Sequence, residues 1–344
     1  MIVSKLGKLS LAAALLAGVA FFAAPANAAP FKIIVTHLEP PLVPNSVIDM
    51  ALQLGYYKKA GVDVEIVRVQ QTPSAVAALR SGQGDMANIG FDVAVQLVAR
   101  EQMQLKGVIS PDKALPFIIA VKKDITSPKQ LEGKTFGVSR IGAVDYSLTR
   151  TVLNKLGVAV DKMEYLAIGQ PPVRATSLAA GKVDATTISI GVWTSMPDKS
   201  ALSILVNQAD YYKGAPLISK LNVVTAEVAK SKSKEIEGVV RAIMMASRDF
   251  AKTPKLWVDG MATALPNVDR ATLEYLADAY KENWDVNGGL NMAEAKYTTD
   301  DLYTNNEDFK GLKRVEPAAW IDTSVIDRVL KSDGVYPGID PTGR

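Results

Sequence analysis

A block of residues occurs twice along this chain at a constant offset of 99 positions, and no other feature constrains the fold as strongly. Pro73, Leu79, Gly82, Asp85 and Ile89 align with Pro172, Leu178, Gly181, Asp184 and Ile188, so the pattern P-x5-L-x2-G-x2-D-x3-I is written twice. A fainter echo lies upstream, three residues out of step, where Lys59–Val64 matches Lys155–Val160. Two copies of one unit imply two similar lobes, and a cleft between lobes is a place to hold a ligand. Two copies are too few for a solenoid, which needs stacked neighbours to bury its faces.

Each copy reads as strand, helix, strand. Gly61 and Gly157 close a helix, since glycine accepts the left-handed conformation found there. The strands predicted next are Val62–Val69 and Val158–Leu166; Val64, Ile66, Val67 and Val69 are β-branched and suit burial on both faces. Pro73 and Pro172 then open helices, where a missing N–H costs nothing, and Gly82 and Gly181 stop them ahead of the strands Met86–Ile89 and Ala185–Ile188. Strands alternating with helices imply parallel pairing and right-handed crossovers. Ligands in such sheets sit beyond the carboxyl ends of the strands. Asp85 and Asp184 precede their strands, so they read as structural rather than as a catalytic carboxylate pair.

The amino terminus bears on the compartment. Lys5 and Lys8 precede an apolar run, Leu11–Ala24, and Ala26-Asn27-Ala28 has the form of a cleavage site, so residues 1–28 are expected to be a signal peptide. The run is too short to span a bilayer. A soluble chain from about Ala29, in a Gram-negative periplasm, is the expectation. The chain has no cysteine, which excludes disulfides, thiol nucleophiles and thiolate-held metals or clusters. Without Lys5 and Lys8 the formal charge falls from +3 to +1, giving no reason to invoke nucleic acid or an anionic membrane. Lys230–Lys234 reads as a solvated loop, and Asp300-Asp301 and Glu307-Asp308 read as solvated surface rather than metal ligands.

The organisation expected is a first lobe from residues 29–121, a second from 122–216, and a return to the first over 217–344. The first holds strand Lys32–Thr36, a loop with Pro40, Pro41 and Pro44, helix Ser46–Leu54, the first repeat copy, a helix capped by Asp92, and Phe117–Val121 as the strand leading out. The second holds strand Thr135–Ser139, helix Val144–Leu156, the second copy and strand Leu202–Val206. Leu221–Val224 is the return strand. Helices then follow: one carrying Ile236, Val239, Val240, Ile243 and Phe250 at helical spacing, one over Ala271–Trp284 ending near Gly288-Gly289, and one over Ala318–Leu330.

A run of motifs in the second lobe resembles a known group. Leu131–Ser139 leads to Gly142 at a helix start, then to Gly157-Val158, Gly169-Gln170-Pro171-Pro172 and Leu178-x2-Gly181-x2-Asp184. Their order and spacing are similar to those of substrate-binding proteins of ABC importers for nitrate, sulfonates and taurine, a superfamily that also contains thiamine-precursor pyrimidine synthases. The resemblance implies the type II-like, two-lobed periplasmic-binding-protein fold, each lobe a mostly parallel sheet flanked by helices, with two hinge crossovers and closure around the ligand. It implies a monomer that serves a membrane permease and its ATPase, with no cofactor. The synthase branch relies on a cysteine-rich motif and several histidines; this chain has no Cys and one His, so no enzyme of that kind is expected.

Candidate ligand residues lie on loops after strands and at helix starts, where free N–H groups favour an anion. Arg140, Gly142, Ala143 and Asp145 form the leading segment: Gly142 permits close backbone approach, Ala143 offers an amide, and Arg140 suits a carboxylate or sulfonate. The competing readings are an ion pair for Arg140 and a helix-terminal carboxylate for Asp145. Position in the family adds His37, Glu39, Thr72, Phe91, Asp92, Gln170, Ser189 and Trp193. For His37 a satisfied structural ring competes, for Asp92 a plain helix cap, and for Phe91 and Trp193 buried packing. If both aromatics face the cleft they favour a guest larger than nitrate, such as a small organic anion with an apolar body. An exported enzyme and a ligand-sensing subunit of a signalling receptor are the alternatives; no G-x-S-x-G or H-E-x-x-H occurs.

Overall fold

The computed structural model describes residues 29–70, 72–112, 117–141 and 144–337. Ten strands are present among them: β1 (Phe31–Val35), β2 (Val64–Arg68), β3 (Met86–Gly90), β4 (Leu105–Asp112), β5 (Phe117–Lys122), β6 (Thr135–Val138), β7 (Glu164–Ala167), β8 (Ala185–Ser189), β9 (Leu202–Val206) and β10 (Lys220–Thr225). They form two five-stranded sheets of one topology, β2-β1-β3-β10-β4 and β7-β6-β8-β5-β9. In each, four strands run parallel, and one antiparallel strand stands fourth in the order, between the third and the fifth. The sequence repeat is therefore one sheet built twice.

The antiparallel strand is what each sheet takes from a crossing. β10 follows the second lobe in sequence and closes the first sheet; β5 follows the first lobe and closes the second. Phe117–Val121, expected as the way out of the first lobe, is hydrogen-bonded wholly within the second sheet, from Phe117 opposite Ser189 to Val121 opposite Ala185. The chain thus changes sheets between Asp112 and Phe117, and again between Gly214 and Lys220.

The repeated aspartates have one job in both copies. Asp85 accepts from the Lys32 amide at 2.9 Å and pairs with the Lys232 ammonium at 2.7 Å. Asp184 accepts from the Thr135 amide and hydroxyl, each at 2.9 Å, and pairs with Lys122 at 2.7 Å. Each carboxylate clips the start of the neighbouring strand, away from the carboxyl ends. Burial pushes the Asp184 carboxyl up, but Lys122 and the two Thr135 donors outweigh it and hold it at about 2. A carboxyl lowered on folding stabilises the fold above its unfolded value, and that contribution fades as pH falls through the folded one. We expect Asp184→Asn to flatten the dependence of the urea midpoint on pH between 3.8 and about 2. An unaltered slope would mean that the clip carries no electrostatic stability.

The larger core lies under the first sheet, where helix Ser233–Lys252 buries Ile236, Val239, Val240, Ile243, Met244 and Phe250. Phe250, Trp257 and Tyr280 all pack on Trp284, with ring centroids 4.9–6.1 Å apart, which fastens the carboxyl-terminal helices to this lobe. Gly289 shows why the glycine pair is there: at φ +64° a Cβ would stand 2.1 Å from the Ser110 carbonyl oxygen. The sequence reading missed β4 and the helices Ile190–Thr194, Gln208–Gly214, Ala226–Ser231, Pro254–Ala264 and Met292–Asn305. Lys230–Lys234, expected as a solvated loop, instead spans the end of one helix and the start of the next, with Lys232 held by Asp85. The second-copy strand is shorter than expected, a 3-10 turn at Val160–Lys162 preceding β7. The last helix begins at Ser324, because Pro317–Ala319 forms a separate 3-10 turn. Among the described residues no helix is long and apolar enough to cross a membrane. The proposed leader, residues 1–28, lies outside them.

Candidate functional site

Two cavities open where the carboxyl ends of the parallel strands of the two lobes meet. One, of about 330 Å³, lies between Thr72, the Gly90–Val93 turn after β3, Ser147 and Leu148 of the second lobe, the strand start Leu217–Lys220, and Asp301 and Asn305 of helix Met292–Asn305. The other, of about 640 Å³, lies between the loop Pro41–Val43 after β1 and the second lobe's Pro172, Ala175, Ser189, Val192 and Met196. Both are walled by residues from both sheets' lobes, as an inter-lobe crevice requires.

Thr72, Phe91 and Asp92 line the first cavity and Ser189 the second. Thr72 opens helix Thr72–Arg80. Phe91 does not offer its face to a guest; its buried ring stands edge-on to Trp320 with centroids 5.2 Å apart. Asp92 is not the cap expected of it. The helix starts one residue earlier, at Phe91, after an extended Gly90, and Asp92 sits in its first turn. Burial raises the Asp92 carboxyl, against the lowering effect of the Val93 amide. Ser189 caps the short helix Ile190–Thr194, its oxygen accepting from the Val192 amide.

His37 is bound to the protein itself: Nε2 lies 2.8 Å from the buried Asp49 carboxylate, which also takes Arg68 at 2.5 Å. Asp145 likewise has both oxygens occupied, by the Ser139 amide at 2.9 Å and the Ser139 hydroxyl at 2.5 Å, with Arg174 at 3.4 Å. Buried Arg174, which sequence reasoning missed, also donates to the carbonyls of Gly169 and Thr187. It joins the loop after β7 and strand β8 to Asp145 on helix Val144–Lys155. Trp193 leaves the crevice altogether. Gly191 and Val192 face the 640 Å³ cavity, whereas Trp193 lies on another face of the same helix, against helix Arg270–Tyr280. The inference of a bulky guest from two aromatics therefore loses its basis.

Glu39, Arg140 and Gln170 remain exposed at strand ends, and no ion pair or side-chain hydrogen bond engages any of them among the described residues. Gly142 and Ala143 lie outside the described residues. Leu38 and Ile141, each three residues past the end of β1 and β6, and Val173 at the start of helix Pro171–Ala179, are all more than half exposed. They lie beyond strand ends in both lobes, though none of them lines either cavity.

One charge stands out at its floor. Lys220, the first residue of β10, lines the smaller cavity, and its ammonium donates to the Thr36 hydroxyl at 3.1 Å, at the end of β1. It is half-buried. Nothing in the sequence marked it, since it belongs to a strand whose place was set by the return crossing. Asp301, read as solvated surface, is instead partly buried in the same wall, where burial raises its carboxyl although Asn305 donates to it at 2.8 Å.

The NMT1/THI5-like family model matches residues 46–256, more than half the chain. The chain belongs to the NMT1/THI5-like family. It is 25% identical over 212 residues to the taurine-binding periplasmic protein of Escherichia coli (strain K12), an overlap of 59% of this chain and 62% of that protein's length. A putative sulfonate ABC transporter component, the periplasmic sulfonate-binding protein SsuA of Methylobacillus flagellatus KT, superposes with a TM-score of 0.68 at 14% identity, over 91% of this chain and 97% of that one. The desulfurization enzyme DszB superposes at 0.65 with 16% identity, over 88% and 99%. At such identities the structures establish the fold, which is the two-lobed periplasmic-binding-protein fold that the resemblance implied. A binder and an enzyme share it, so the site must decide function.

Proposed function

We propose that this family member is the periplasmic solute-binding component of an ABC import system. It captures a small organic anion, a carboxylate or sulfonate, between its lobes and delivers it to a membrane permease with its ATPase. The observation that carries this reading is Lys220: a half-buried ammonium in the wall of the inter-lobe cavity, donating to the Thr36 hydroxyl. An ammonium so placed is poised for an anion, and the exposed Arg140 and Gln170 at second-lobe strand ends can complete the cage on closure. Leu38, Ile141 and Val173 suit an apolar body on that anion. The taurine-binding relative supports the same class. The protein acts as a monomer and performs no chemistry. The one histidine is engaged by Asp49 and the chain has no cysteine, which supports a binder over a histidine- or thiol-dependent enzyme.

The reading is tested by thermal shift of the purified protein against matched sulfonates, carboxylates, neutral amides and amines. Saturation at 100 times Kd adds about 2.7 kcal/mol to the native state, a readily measured rise in Tm. We expect rises from anions and none from their amides. Rises confined to neutral or cationic compounds would overturn the anion assignment, and turnover of a bound compound would overturn the binder reading.

A further inference from the structure

The short helix Ile190–Thr194 belongs to the second lobe: it follows β8 directly and packs on β5 and on helix Pro171–Ala179. Yet elements of the first lobe grip it from two directions. On one side the loop after β1 reaches it, with Leu42 Cδ1 standing 3.7 Å from where a Cβ on Gly191 would lie. On another, Trp193 is 8% exposed and shares a recess of about 250 Å³ with Asp269, Ala271, Thr272 and Tyr275. Those four residues begin or line helix Arg270–Tyr280. That helix is anchored to the first lobe through buried Leu273, Leu276 and Tyr280, the last edge-on to Trp284.

Trp193 is thus buried between an element of the second lobe and one that packs on the first, and any motion that parts those two elements exposes it. We propose that Trp193 is a closure latch: by docking on helix Arg270–Tyr280 it holds the two lobes shut, and so sets ligand affinity without touching the ligand. The inference rests on the hinge-closing binder reading above. The physical logic is that of a population shift, in which any contact present in one state alone moves the equilibrium by its full free energy. Trp193 is thus a positioning residue, and its aromatic plate is the part that matters.

The absence of native cysteine allows clean spin labelling at exposed Ala77→Cys in the first lobe and Lys182→Cys in the second. Interlabel distance distributions by pulsed electron resonance would be recorded with and without 10-fold-varied propane-1-sulfonate as the anion probe. Trp193→Ala should raise the ratio of long to short distances about tenfold in at least one condition, the scale of losing one buried aromatic anchor. Trp193→Phe should largely restore it. Tyr275→Ala, on the opposite wall and 46% exposed, should shift the distances the same way without unfolding the chain. Distributions identical to wild type in both conditions, with only a lowered urea midpoint, would assign Trp193 to packing and overturn the latch. If propane-1-sulfonate and other anions fail to bind, the anion reading falls, while the ligand-free distances still decide the latch.

Discussion

Replacing Lys220 by alanine is expected to weaken binding of an anionic ligand by roughly 10- to 100-fold, while the ligand-free melting temperature barely moves. A hydrogen bond to a charged group contributes about 1.5–3 kcal/mol, and each 1.4 kcal/mol is tenfold in Kd. The small effect on folding follows from what Lys220 touches: its ammonium donates to the Thr36 hydroxyl at 3.1 Å, a neutral partner that can turn to water once the amine is gone. Its backbone remains in the ladder opposite Gly90 and Asp112. Titration calorimetry with the anion hits, on Lys220→Ala and Lys220→Met, makes the measurement; the methionine keeps the stem and removes the charge. Unchanged affinity in both variants would remove Lys220 from the site and leave Arg140 as the cation to test.

Arg174 sets the opposite case, in which the loss falls on folding. Its side chain is almost wholly buried and joins the Gly169 carbonyl after β7 and the Thr187 carbonyl of β8 to Asp145 on helix Val144–Lys155. Removing one partner of a buried charged network costs about 3–5 kcal/mol, because the other is left uncompensated. Arg174→Ala is expected to lower stability on that scale in urea unfolding, since Asp145 would keep only the two Ser139 donors. The double variant with Asp145→Asn should recover part of the loss, as contacting partners are not additive. A loss below about 1 kcal/mol would show that water replaces the guanidinium there.

The two residues differ in legibility for a physical reason. Lys220 sits on a strand that reaches the first sheet only after the whole second lobe has been traversed, and its neighbour Thr36 is 184 positions away in sequence. Arg174, in the middle of a helix, carries no local sign that its head turns inward to carbonyls of β7's loop and β8. Asp301 was misread for a similar cause: a polar stretch looked solvated, but helix Met292–Asn305 places it in the wall of the cavity that Ser147 and Leu148 of the second lobe also line. The sequence did indicate the structural role of Asp85 and Asp184, because they precede strands rather than follow them.

What the sequence determined by itself was the unit. The 99-residue repeat, its glycine stops and its prolines dictated two copies of strand–helix–strand, because those signals act over a few residues and need no tertiary partner. Parallel pairing followed from the alternation of strands and helices, and with it the end of each sheet at which a ligand is expected. Only the tertiary structure decided which strand belongs to which sheet at the crossings, and which candidate side chains are free. His37, Asp145, Phe91 and Trp193 are spoken for by Asp49, by Ser139 with Arg174, by Trp320 and by helix Arg270–Tyr280 respectively. A side chain's availability depends on partners brought from distant parts of the chain, and local sequence holds no record of them.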